Sequence, residues 1–232
     1  MSKTNQKKSC EKYINSLELI YLIFLSIGIS LLLNYLNFTP FYLLFFVNCI
    51  LLLPRFFFAP SKNIKFLIDK IIDSSIPEKL KSLNYKIILI LDVSIMLFTH
   101  AILFILLCYY GGYGFGYSRL LNIELIRMDS SVFAFSLLAA FLLLNSLWLT
   151  LICLRLWLIK ARIERNYCIW AGNNFIFAIL IIIVLLFLVN PVIIYDIKFF
   201  DRTTAFYILI FLGILNSVID LVNTDKTYLF DN

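Results

Sequence analysis

Long apolar runs separated by short clusters of polar residues dominate the chain. A helix needs about 20 mostly apolar residues to cross the hydrocarbon core of a bilayer. Six stretches meet or approach that length, at about 17–36, 40–58, 86–110, 131–157, 174–195 and 203–222. Pro54-Arg55 interrupts the second, and Asn190-Pro191 lies near the end of the fifth. The predicted class is all-α: a polytopic integral membrane helical bundle of six transmembrane helices, forming one membrane domain over 1–232.

The connections carry their own patterns. Asn37-Phe38-Thr39 reads as a tight hairpin, and its match to a glycosylation sequon is discounted because it sits against the bilayer. Residues 59–85 and 111–130 form the longer connections, and 158–173 and 196–202 the shorter ones. None can house a soluble domain, so any activity is expected within the bilayer or at its surface. Within 61–76, Ile64, Ile68, Ile71, Ile72 and Ile76 share one helical face. Lys62, Lys65, Asp69, Lys70 and Asp73 lie largely opposite, which predicts an amphipathic helix on the cytosolic membrane surface. Residues 118–129 look similar on the other side. They follow GGYGFGY at 111–117, read as a flexible glycine–aromatic turn with interfacial tyrosine anchors. A dinucleotide-binding loop would need a strand before those glycines, and a membrane span precedes them instead.

Composition turns this pattern into a solvent argument. Of 232 residues, 62% are hydrophobic and 15% charged, and the mean hydropathy is +0.94. Soluble domains are nearer 45–50% apolar and about 25% charged, so lipid is the expected solvent and the bilayer the first partner. The net charge of +6 is gathered at segment ends and reads as orientation, not as a nucleic-acid surface. Lys3, Lys7, Lys8 and Lys12 precede the first span. Arg55, Lys62, Lys65, Lys70, Lys79, Lys81 and Lys86 belong to the second connection and its flanks. Arg155, Lys160, Arg162 and Arg165 follow the fourth span, and Lys226 follows the sixth. The other face holds only Arg119, Arg127, Lys198 and Arg202. The positive-inside rule puts the larger set in the cytosol, with the N- and C-terminal segments both on that side. The N-terminal segment reads as an uncleaved tail and carries no lipidation motif. Abundant Phe, Ile, Leu, Asn and Lys suggest an AT-rich genome, hence a bacterial cell membrane.

Ionisable groups inside spans are costly and mark function by default. Asp92 and His100 lie in the third span, Arg155 near the end of the fourth and Asp220 near the end of the sixth. Asn48, Asn145, Ser146, Asn190, Asn216 and Ser217 join them. Asp92 lies about 9 Å from the cytosolic end at 1.5 Å per residue, and Arg155 and Asp220 lie at similar depths. A polar layer in the cytosolic half is expected, where Asp92, Arg155 and Asp220 can pair. The even spans echo one another, with Asn48-Cys49, Asn145-Ser146 and Asn216-Ser217 each followed by a basic residue. The intervals are unequal, and small and amide residues glue membrane helices generally, so the echo is read as packing.

His100 is the only histidine, which rules out bis-histidine haem ligation and an all-histidine zinc site. It stands eight residues from Asp92, about 12 Å along the helix, and an interhelical hydrogen bond is expected for it. The five cysteines form no C-x-x-C pair and predict no disulfide framework. No cofactor is expected. No H-E-x-x-H, G-x-S-x-G or P-loop motif occurs, and an enzymatic reading rests on Asp92 and Asp220 sharing a proton in an intramembrane hydrolase or transferase. The leading expectation is a non-enzymatic protein that passes, or helps pass, an ion or small solute. The alternative is an interaction protein with a protein partner or a second copy of itself: an assembly subunit, a toxin-immunity protein or a membrane-disrupting effector.

Overall fold

The structure, a computed structural model, describes residues 3–35, 40–52, 83–116, 128–158, 165–189 and 201–224. Every regular element among them is an α-helix: α1 (Lys3–Asn34), α2 (Pro40–Leu52), α3 (Leu83–Gly116), α4 (Met128–Leu158), α5 (Arg165–Val189) and α6 (Arg202–Thr224). Local chemistry sets the starts of two of them. Pro40 opens α2, where its missing N–H costs nothing. Asp201 caps α6: its Oδ1 accepts from the Thr204 N–H at 2.7 Å, and its carbonyl accepts from the Ala205 N–H at 3.0 Å.

Four helices are long and apolar enough to cross a membrane, with windows at Ser94–Phe115, Asp129–Leu154, Tyr167–Val189 and Arg202–Asn223. At 1.5 Å per residue these windows run roughly 33–39 Å, against about 30 Å of hydrocarbon. The apolar parts of α1 (Leu19–Asn34) and α2 (Pro40–Leu52) are shorter among the described residues. Residues 53–82 lie outside them, with Pro54-Arg55 and the expected surface helix at 61–76. So do Asn37-Phe38-Thr39, residues 117–127, Asn190-Pro191 and the basic residues at 160 and 162.

Three sequence expectations are revised. The N-terminal tail is helical from Lys3 and continuous with the first apolar run. The fifth helix begins at Arg165, well before 174, so Cys168, Trp170 and Asn173 belong to it. Residues Gly111–Gly116 of the glycine–aromatic segment are the last turns of α3, not a turn. Their glycines allow close approach: a Cβ at Gly111 would meet the Phe45 ring at 2.0 Å, one at Gly112 the Tyr35 ring at 2.8 Å, and one at Gly114 the Ser131 hydroxyl at 2.5 Å.

α3 packs between α1 and α4, α4 against α5, and α5 against α6. α2 touches four other helices. Its Tyr42 hydroxyl donates to the Leu32 carbonyl of α1, and Phe45 fills the notch at Gly111 of α3 and meets Phe135 of α4 edge-on at 6.0 Å. Phe41 stacks on Tyr207 of α6 at 4.2 Å. Tyr42, Phe45, Cys49 and Leu52, spaced three and four apart, are all buried, while Leu43, Leu44, Val47 and Ile50 are exposed. Large apolar side chains stay exposed elsewhere too, including Leu186 at 62% and Phe211 at 61%. A water-soluble monomer rarely leaves so broad an apolar surface uncovered.

Candidate functional site

α6 distributes its residues in two ways along its length. In its first half the buried face is apolar: Ala205, Phe206, Leu209 and Ile210. In its second half the buried face is Gly213, Asn216, Ser217 and Asp220, and the exposed face is Val218, Leu221 and Val222. The second half therefore carries polar groups inward and apolar groups outward, the reverse of a helix in water. Positions 213, 216–217 and 220 recur at helical spacing, so the four residues form one stripe about 10 Å long.

Two helices face that stripe, and a third braces one of them. From α5, Asn173 Nδ2 donates to Asp220 Oδ1 at 2.7 Å, and the neighbouring Asn174 is fully buried. Asp220 itself is 4% exposed. From α2, the buried Asn48 amide lies against the bare backbone of Gly213, where a Cβ would meet its nitrogen at 2.5 Å and its oxygen at 2.9 Å. A side chain at 213 would displace the Asn48 amide from this position. The brace is on α4, where Ser146 Oγ donates to the Ala171 carbonyl of α5 at 2.8 Å, two residues before Asn173. Within α6, Ser217 Oγ donates to the Gly213 carbonyl at 3.0 Å. Asp220 lies three residues from Asn223, the end of the α6 apolar window, roughly 4–5 Å inside it.

Of the residues singled out from the sequence, Asp220, Asn216, Ser217 and Asn48 are all buried, with the first three on the α6 stripe. Asn145 is half-buried on α4 beside Ser146. Asp92 and Arg155 belong to α3 and α4, and their side chains lie outside the described residues, so the expected trio with Asp220 has only its third member placed. His100 is buried. Its Nδ1 lies 2.8 Å from the Met96 carbonyl one turn earlier in α3, and since a carbonyl only accepts, Nδ1 carries the hydrogen. Its contact across to α4 is with Phe141, edge-on at 4.8 Å. That hydrogen bond runs within α3.

Asn173, Asn174 and Gly213 escaped sequence reading. Asn173 falls in the predicted 158–173 connection and Asn174 at the very start of the predicted fifth span, whereas the helix starts at Arg165. Gly213 had a usable signal, since Gly213, Ser217 and Asp220 share one helical face. The cysteines also pair in space. Cys49 of α2 and Cys108 of α3 are buried near each other, and Cys153 of α4 and Cys168 of α5 bring their sulfurs within 3.9 Å. Among the described residues, no three His, Cys, Asp or Glu side chains gather as a metal site would need.

Chemically, the Asp220 carboxyl with its Asn173 partner, and the Asn48 amide and Ser217 hydroxyl farther along the stripe, offer several acceptors and donors in a low-dielectric setting. Such a set holds a cation or a hydrogen-bonding solute by electrostatics and geometry. Comparison with protein-family models, with curated proteins and with solved structures finds no match to this chain.

Proposed function

We propose that the protein is a six-span protein of a bacterial cell membrane that passes, or helps pass, a small cation or polar solute along the inner face of α6. The N-terminal segment and residues 225–232 lie on the cytosolic side in this reading, and the polar stripe sits in the cytosolic half. The supporting observation is the inverted second half of α6, with Gly213, Asn216, Ser217 and Asp220 inward and Asp220 bonded to Asn173 at 2.7 Å. Buried ionisable groups in membranes are retained where they serve a pathway. The lysines of connection 59–85, with Lys160 and Arg162 after α4, support the orientation.

Flux from proteoliposomes tests the reading. Wild type is expected to carry a cation or a small solute down an imposed gradient. Asp220→Asn keeps the shape but removes the charge, and its flux is expected to drop by roughly tenfold, equivalent to losing about 1.4 kcal/mol of a hydrogen bond to a charged group. Folded wild-type protein with no flux under any gradient overturns the proposal.

A further inference from the structure

The α4–α5 interface carries a thiol pair that the polar stripe does not use. Cys153 is half-buried and Cys168 exposed, and their Sγ atoms are 3.9 Å apart. Both sit at the rim of an apolar window. Cys153 is one residue before Leu154, where the α4 window ends, and Cys168 is one residue after Tyr167, where the α5 window begins. That depth is about 1.5 Å from the window's edge, within reach of water-borne reagents. Deeper in the same interface, the bond from Ser146 to the Ala171 carbonyl already holds the two helices together. The second thiol pair differs, because Cys49 and Cys108 are both fully buried.

We propose that Cys153 and Cys168 form a reversible disulfide, a modification site that fastens α4 to α5 at the membrane surface. The sulfurs need to close by roughly 1.9 Å to reach the bond length of about 2.05 Å, a movement that side-chain rotation supplies. The oxidant is a small external disulfide. The exposed Cys168 attacks it, forming a mixed disulfide and releasing one small thiol. Cys153 then attacks the Cys168 sulfur and releases the second small thiol. Two hydrogens leave the protein and one external disulfide becomes two thiols. In the proposed orientation the pair faces the cytosol, where thiols rest reduced, so the bond forms on an oxidative shift. α5 also carries Asn173, so the staple restrains the helix that holds Asp220. The disulfide itself stands independently of solute passage.

The test uses the full chain in detergent micelles, exposed to oxidised glutathione, alkylated with a maleimide, digested and weighed. The expected product is one peptide pair joining Cys153 to Cys168, lighter than the two separate peptides by two hydrogens and separated by dithiothreitol. Alkylation of Cys168 falls several-fold while that of Cys49 and Cys108 is unchanged. In Cys153→Ser, Cys168 retains glutathione because no neighbouring thiol displaces it. Unchanged alkylation of Cys168 in wild type overturns the proposal. So does a bond from Cys168 to Cys10, to Cys49, to Cys108 or to a second chain. The wild-type measurement is decisive even where the variant fails to fold.

Discussion

Gly111 is the point where one atom more would force the bundle apart, since a Cβ there would lie 2.0 Å from the Phe45 ring and Phe45 is itself fully buried. Gly111→Ala is therefore expected to lose about 1–3 kcal/mol through overpacking. Gly172 makes the matching control: nothing lies within 4 Å of a Cβ built on it. Gly172→Ala is expected to be neutral or to gain up to about 1 kcal/mol from helix propensity alone. Thermal unfolding of both variants in one detergent checks the pair, and equal midpoints would show that Phe45 does not seat in the Gly111 notch. Single residues were unevenly legible in the sequence. Asp220 declared itself, because a carboxylate within an apolar run has no ordinary explanation. Asn173 did not, because an amide beside a glycine is equally at home in a loop. The glycines at 111, 112 and 114 looked like a turn, because sequence alone does not distinguish glycine chosen for its backbone freedom from glycine chosen for its missing side chain.

At the level of helices, α6 shows how an end is held. Hydrogen bonds from the Thr204 side chain and backbone keep the Asp201 carboxyl below the ordinary aspartate value of 3.8. A lowered folded value means that the cap's contribution is complete above the unfolded value and is lost as pH falls through the folded one. Amide exchange at Thr203, Thr204 and Ala205, corrected for intrinsic rates, should reveal fraying of the first turn on acidification. Asp201→Asn should keep the cap and lose the acid response, while Asp201→Ala should fray at every pH. An acid response that survives in Asp201→Asn would assign it to another group. The hydrophobic runs coincide with α4 and α6 to within three residues at each end, because a chain in lipid must satisfy its backbone internally and helices do so, while α3 continues six residues past its run. The same runs misjudged the beginnings of α1 and α5. Run length measures hydrocarbon thickness, and a helix is free to continue past its apolar run, as α1 does from Lys3 and α5 from Arg165.

For the molecule as a whole, topology is the property that the proposed function needs first. In a variant whose native cysteines are all serine, Ser118→Cys should react with a membrane-impermeant maleimide added to intact cells. Ser9→Cys and Ser82→Cys should react only after permeabilisation. If Ser9→Cys and Ser82→Cys label from opposite faces, one of α1 and α2 does not cross the bilayer and the six-span count fails. The overall class was legible because solvent preference is additive along a chain. The arrangement was not, since which helix lies beside which depends on notches such as those at Gly111 and Gly213 rather than on hydropathy.

The neighbours of α2 bear on how the protein is made. Asn48 reaches its place against Gly213 only when the last described helix arrives, and until then its amide has lipid, water or another helix for company. Asp220 likewise meets Asn173 only once α6 has entered beside α5. α2 thus leaves the ribosome well before the companion that covers its amide. Chains truncated before α6 would hold that amide exposed, a form that cellular quality control can recognise and remove.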